Sequence, residues 1–453
     1  MKIFLVKKKI LILLFGIAIP ASIFAQDSMP ATNSGTLKIT LKQAITIAKS
    51  ENPTIRIADK DVELKKVASQ EVYSELFPKV NLVGSYSRAI KKQTMVIDFN
   101  GVQQHMQMGT DNNYSGGVQL SLPIFAPALY KSINLTKVDI ELAVEKAHAS
   151  ELDLVNQVVK AYYQLLLVQD SRDVLQKSYN NAEENYKNIE EKFNLGLVSE
   201  YDKIRAEVQM RSIKPSVVSA ENGVRLSLLQ LKVLMGIDPT TDIEAAGNLK
   251  DHEKEMFTRQ AHADMLNLEE NSDIKQLDIS TKMLKEKLKV ERTSYLPTIS
   301  ATFNYMYASL NNDFRVFHYD WFPTSTLGLT LSIPLFNATT SKKTKQTKIQ
   351  IQRMEDVRLN TERQLNMLVQ SYLNNMSASV EQIISNKEGI KQSEKGRMIA
   401  AKRYETGAGT ILEVNDSEVA LTQAELVYNQ SIFDFLISKA DLYKTLGRET
   451  TGE

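Results

Sequence analysis

Five histidines are the chain's readiest general bases and metal ligands, and they are scattered along it. No phosphate-binding loop, dinucleotide glycine motif, His-Glu-x-x-His helix or nucleophile elbow accompanies them. "HMQM" (105–108) is the single hint of soft-metal binding. Glu413 and Asp416, three residues apart, share one helix face. The sequence therefore predicts no enzyme, no catalytic residue, no cofactor and no metal centre. Its remaining chemistry is that of a surface that binds or conducts.

The first 25 residues predict export. Lys2 and Lys7 to Lys9 precede an apolar run from Ile10 to Ile19, and "SIFA" ends on small Ala25. This is the layout of a secretory signal peptide, too short for a durable membrane helix; the alternative is an anchor that stays attached. Removal takes four lysines from 55 basic residues and none from 54 acidic ones, leaving a net charge near −3. That balance argues against a nucleic-acid partner. With no cysteine in the chain, disulfides and a cysteine-linked lipid anchor are both excluded. No later segment has eighteen consecutive apolar residues, so membrane contact would have to be made by strands.

The 453-residue chain is duplicated. At a constant offset of 211, Ser121, Pro123, Phe125, Gly196, Glu207, Val208, Leu231 and Gly236 match Ser332, Pro334, Phe336, Gly407, Glu418, Val419, Leu442 and Gly447. "LFP" (76–78) answers "YLP" (295–297) at offset 219, so the first copy carries a longer loop between its strands. The expected units are a signal peptide (1–25), a first repeat (26–236), a connecting segment (237–257) and a second repeat (258–453). Helices are expected at about 54–77, 128–194 and 199–235 in the first repeat, and at 272–295, 338–405 and 411–446 in the second. Asn52 can cap the first of them, with Pro53 in its first turn. Residues 128–195 contain neither Gly nor Pro, which as a helix is about 100 Å. Leu175, Tyr179, Ala182, Tyr186, Ile189 and Phe193 form a coiled-coil seam along it. Such a rod needs neighbours of its own length, and the two shorter helices of a repeat, stacked end to end, could supply one. Pro215 predicts a kink near Lys214.

Strands are expected at 79–88, 114–125, 298–307 and 325–336, each alternating apolar and polar residues. Leu327, Leu329, Leu331, Ile333 and Leu335 face one side, and Thr326, Gly328, Thr330 and Ser332 the other. Runs of about 10–12 residues can cross an outer membrane at a tilt. Tyr86, Tyr114, Phe125, Tyr295 and Phe336 sit at their ends, where an interfacial belt would need them. A soluble antiparallel sandwich would alternate in the same way, but it does not accommodate 100 Å rods. Four strands cannot close a membrane barrel, and an open edge in lipid leaves backbone groups unpaired. Several chains must then share one barrel. The proline near the end of each second strand marks the membrane surface, and Lys342, Lys343, Lys345 and Lys348 begin the helix beneath it.

The doubled "S-[LI]-P-[IL]-F", the turns "KFNLGLVSEYD" (192–202) and "RYETGAGTILEVND" (403–416), and the C-terminal "LYKTLG" (442–447) resemble the TolC-like outer-membrane efflux channel family over nearly the whole mature chain. The resemblance implies a mainly helical chain with membrane strands. In it a homotrimer forms a twelve-stranded β-barrel, four strands per chain, continued by a periplasmic α-helical barrel. It implies a passive duct in outer-membrane lipid that docks with a periplasmic adaptor and an inner-membrane transporter. Gly196, Leu197, Val198, Gly407, Ala408 and Gly409 would be the adaptor-docking tips. Asp202 and Tyr404 match gate positions, and Glu413 and Asp416 match an acidic constriction ring. The family's arginine two residues after the tip glycine is replaced here by Gly409. A periplasmic coiled-coil scaffold and an outer-membrane adhesin or receptor, using the loops at 89–113 and 308–324, remain the competing classes. The cargo is open.

Overall fold

A computed structural model describes residues 37–99, 102–256, 267–315 and 318–450. The expected signal peptide and the 257/258 boundary lie outside the described residues. In chain order the elements begin with β1 (Leu37–Ile39), α1 (Leu41–Glu51), α2 (Pro53–Ser74) and β2 (Lys79–Arg88). β3 (Gln93–Phe99), β4 (Val102–Met108), β5 (Asn112–Phe125), α3 (Pro127–Asn194) and α4 (Glu200–Met235) complete the first copy. β6 (Ile243–Ala245), a 3-10 turn (Leu249–His252) and α5 (Glu253–Met256) lead to the second. It comprises α6 (Ser272–Thr293), β7 (Thr298–Asn311), β8 (Phe322–Ser332), α7 (Ala338–Glu405) and α8 (Ile411–Thr445).

α3 and α7 are each 68 residues long. α2 and α4 both lie along α3, and α6 and α8 both lie along α7, so each long rod is matched by two half-length helices. α6 and α8 also touch α3 and join the two copies. The joint between half-length helices is built twice. Asn52 caps α2 by accepting from the Thr54 N–H at 2.7 Å, while its amide donates to the Leu234 carbonyl at the end of α4, also at 2.7 Å. Asn271 does the same for α6, accepting from Ile274 at 3.0 Å and donating to the Thr445 carbonyl of α8 at 2.7 Å. One side chain thereby satisfies an orphan donor of one helix and an orphan acceptor of the other. Gly236 and Gly447, at φ +71° and +72°, turn the chain at each joint.

The largest apolar core lies midway along the rods. Leu154, Val158, Tyr162, Leu165 and Leu166 of α3 meet Ile432, Leu436 and Leu442 of α8 and Ala44 and Ala48 of α1. The Tyr162 hydroxyl lies 2.6 Å from the Ala246 carbonyl and 3.1 Å from that of Ile39, tethering the short parallel pair β1–β6. Burial pushes this phenol up to about 12, so it stays a donor. The Asp170 carboxylate accepts from the Leu249 N–H at 3.1 Å, and burial raises its pKa.

At one end of the rods β2, β5, β7 and β8 form an antiparallel sheet in the order β2-β5-β7-β8. Its register puts Val80, Leu82, Val118, Leu120, Phe303, Tyr305, Leu327 and Leu329 on one face. Asn81, Ser85, Gln119, Ser121, Thr302, Asn304, Thr326 and Thr330 occupy the other.

Several expectations need correction. β8 ends at Ser332, not 336, because its one partner, β7, begins opposite it at Thr298. β5 and β7 are longer than expected, starting at Asn112 and running to Asn311. The expected loop at 89–113 contains the β3–β4 hairpin, which is the extra length of the first copy. α1 and the β1–β6 pair were not expected as elements. α2 and α6 stop at Ser74 and Thr293, short of their prolines. Pro215 lies inside α4, where it was expected; the Arg211 carbonyl it leaves without a helical donor lies on an exposed stretch where water can serve.

Candidate functional site

The far ends of the rods carry the two glycine turns. In the first, Gly196 at φ +73° donates to the Phe193 carbonyl, and Leu197 donates to that of Lys192, each at 2.8 Å. In the second, Gly407 at φ +75° donates to Tyr404 at 3.1 Å, and Ala408 donates to Arg403 at 2.8 Å. Both are glycine C-caps in which a left-handed residue returns the chain's N–H groups to the last turn. The next helices restart at once. Ser199 accepts from the Asp202 N–H at 3.2 Å, and Thr410 from the Glu413 N–H at 3.3 Å.

A small apolar cluster joins the two turns. Ile189, Ala206, Ala400, Ile411 and Val414 are buried, with Tyr186, Val198 and Tyr404 packed on them. Val198, one of the expected docking residues, is half-buried and packs on this cluster. Gly196, Gly407 and Ala408 are exposed, Gly409 is half-buried, and Leu195 and Leu197 are about three-quarters exposed.

Of the four gate candidates, Asp202 and Tyr404 lie near each other without a hydrogen bond between them. Asp202 accepts from the Ser199 hydroxyl at 2.9 Å. The Tyr404 hydroxyl is buried without a partner. Burial first, and the Asp202 charge second, raise its pKa, so it remains protonated and able to donate. Glu413 and Asp416 differ in their surroundings. The Glu413 carboxylate pairs with the Arg403 guanidinium at 3.1 Å, whereas Asp416 is exposed and has no ion pair among the described residues.

Sequence reasoning missed Arg403. It donates a second hydrogen bond to the Ala408 carbonyl at 3.0 Å, so one side chain ties both flanks of the turn. A Cβ on Gly409 would stand 2.9 Å from the Arg403 Cβ and 3.2 Å from a Glu413 carboxylate oxygen. The space that a side chain at 409 would need is therefore occupied, by the Cβ that any residue other than glycine carries at 403 and by the Glu413 carboxylate. The signal available in the sequence was the arginine itself, six residues before the missing one. Lys203 was also overlooked. It pairs with Glu190 at 3.0 Å, whose carboxylate also accepts from the Tyr186 hydroxyl at 2.9 Å; these two bonds hold Glu190 below the usual carboxylate range.

At the sheet, Tyr86 and Tyr114 stack at 4.8 Å at the end distant from the helices, with Tyr319 at 5.6 Å from Tyr114. Phe125, Tyr295 and Phe336 lie at the helix-proximal end, between 40% and 88% exposed.

The family described as outer membrane efflux protein matches residues 44–237 and 266–448. Outer membrane protein TolC of Escherichia coli strain K12 is 22% identical over 423 residues, covering 90% of this chain and 82% of its own. The CmeC outer membrane channel of Campylobacter jejuni superposes with TM-score 0.71 at 18% identity, over 95% of this chain and 94% of CmeC. The open-state MtrE outer membrane channel of Neisseria gonorrhoeae gives 0.71 at 18% identity, over 91% and 90%. With both copies of the duplication matched, the chain belongs to the outer membrane efflux protein family.

Proposed function

We propose that three copies of this chain close into a twelve-stranded barrel and a coaxial helical tunnel, forming the passive outer-membrane exit duct of a tripartite efflux or secretion system. The observation that carries this reading is a one-sided apolar sheet with two open edges, continuous with rods that are themselves unfinished. β2 and β8 each have a single neighbour. They run in opposite directions, so β8 of one copy can pair antiparallel with β2 of the next, as lipid requires of every backbone group. The helices repeat the pattern. α2 buries no residue within the chain, and Ile57, Leu64 and Val67 on it stand exposed, as do Ile204 and Val208 on α4 and Met367, Met398 and Ile399 on α7. A neighbouring copy would cover these faces and could supply the acceptor that the Tyr404 hydroxyl lacks. Gly196, Leu197, Gly407 and Ala408 then face the periplasm, open to an adaptor's helical hairpin, and the adaptor links the duct to an inner-membrane transporter. Tyr86 and Tyr114 would mark one membrane interface, and Phe125, Tyr295 and Phe336 the other.

The test is direct. Detergent-extracted protein is expected to run on an unheated gel as a trimer and to insert conductance into planar bilayers. Extraction without detergent, or a monomer without conductance, overturns the reading.

The register makes a second, finer prediction. Leu329→Lys places a charge on the lipid face and is expected to cost about 2–4 kcal/mol near the midplane. Thr330→Lys, on the lumen face, is expected to leave assembly intact and lower cation conductance. Equal effects on the melting of the trimer would mean that the faces are assigned wrongly.

A further inference from the structure

The β3–β4 hairpin is longer than a connection between barrel strands needs, and no part of the proposed duct uses it. Its register redistributes the segment "HMQM". Met95 lies directly opposite Met106, and Val96 opposite His105. Because successive residues on a strand face opposite sides, Met106 and Met108 share a face with Met95, while His105 turns to the other. Directly opposite Cβ atoms in such a pair are about 5 Å apart, and diagonal ones about 7 Å. The three thioethers are thus neighbours on one surface. Each of these methionines is about half exposed, at 47%, 50% and 50%. Their unbranched side chains can swing together without moving the backbone.

We propose that Met95, Met106 and Met108 form a three-thioether site for a soft monovalent cation, of the class of copper(I) and silver(I). Thioether sulfur is a soft, uncharged ligand that selects such ions over magnesium, calcium or zinc. The trio has no carboxylate on its face: Asp98 pairs with Gln103 on the opposite one, and the other members of the methionine face include Gln93 and Ile97. Hard cations therefore gain nothing there. The base of the hairpin is fixed to the rim of the sheet. Ala89 donates to the Asp111 carbonyl at 2.8 Å, and Lys92 reaches the Asp111 carboxylate and the Asn312 amide oxygen, each at 3.1 Å. The sheet end distant from the helices carries this hairpin, so the channel reading puts the site at the external mouth. The site itself does not depend on that reading.

The probe is silver(I), titrated calorimetrically into the full-length detergent-extracted protein in chloride-free buffer. One silver per chain is expected. The triple variant Met95→Leu/Met106→Leu/Met108→Leu keeps the apolar area and is expected to abolish that stoichiometric binding, while conductance is unchanged. Met367→Leu, on α7, and His105→Ala are expected to bind as the parent does. If the triple variant fails to assemble, Met106→Leu alone, which removes the central ligand, is expected to weaken binding about tenfold. Absence of saturable binding, binding undiminished in the methionine variants, or loss of binding on His105→Ala would each overturn the site. None of these outcomes alters the conductance that tests the channel reading.

Discussion

Gly447→Ala is expected to destabilise the protein by about 3 kcal/mol or more, combining a left-handed residue with a packed backbone. A Cβ there would lie 2.1 Å from the Glu270 carbonyl oxygen and 2.5 Å from its carbon, with the backbone already at φ +72°. A backbone carbonyl cannot rotate aside as a side chain can. The joint between α8 and α6 would have to open, and the Asn271 amide would lose the Thr445 carbonyl that it holds at 2.7 Å. Gly236→Ala meets the same obstacle more mildly, with 2.7 Å to the Glu51 carbonyl oxygen. Gly389 and Gly396, inside α7, have nothing within 4 Å of an added Cβ. Their alanine variants are expected to be neutral or stabilising by up to about 1 kcal/mol. Thermal unfolding followed by helical circular dichroism separates the cases. A Gly447→Ala protein melting with the parent would show that two half-length helices do not depend on this junction to act as one rod.

How much of this was legible beforehand depends on the range over which each feature is determined. The offsets of 211 and 219 are both realised at the joints: Gly236 and Gly447 stand 211 apart, and Asn52 and Asn271 stand 219 apart. Local chemistry fixed those residues, because a C-cap glycine and an N-cap asparagine are recognisable without neighbours. Strict alternation likewise predicted the two faces of the sheet. The β3–β4 hairpin escaped because residues 93–108 mix glutamine with methionine and valine, which gives neither face a clean polarity. The middle belt escaped for another reason. β1 and β6 are three residues each and exist because Tyr162, more than 80 residues from Ala246, anchors them. At the tips, the motif led attention to Gly409 and away from Arg403. Only the turn's three-dimensional path reveals that the two positions compete for one space. Val198 shows the converse: the motif gave it only a place at the tip, and its half-buried packing against Ile411 and its neighbours is visible only in the fold.

The Arg403–Glu413 pair makes the two carboxylates of the proposed constriction unequal, and their variants are expected to differ accordingly. Within one chain Asp416 faces solvent with no ion pair among the described residues, while Glu413 is partly neutralised by Arg403 at 3.1 Å. Asp416→Asn is then expected to remove most of the cation preference and the block by divalent ions. Removing the pair together, in Arg403→Ala/Glu413→Gln, leaves the tip charge as it was, so its effect on selectivity is expected to be small. Glu413→Gln alone leaves the guanidinium uncompensated, raises the tip charge by one per chain and is expected to lower cation preference. It also releases Arg403 from one of its two anchors. That exposed pair is worth about 1 kcal/mol at most, so the tip should loosen modestly and conductance rise by only a few-fold. Arg403→Ala has the opposite electrostatic sign. It unmasks Glu413 and lowers the tip charge by one per chain, and cation preference should rise above that of the parent, most clearly at low salt where screening is weak. Single-channel reversal potentials in a salt gradient, with and without a divalent ion, read all four. If Arg403→Ala/Glu413→Gln abolishes divalent block as fully as Asp416→Asn does, the guanidinium does not shield the glutamate. The tip would then be an unpaired ring of six carboxylates.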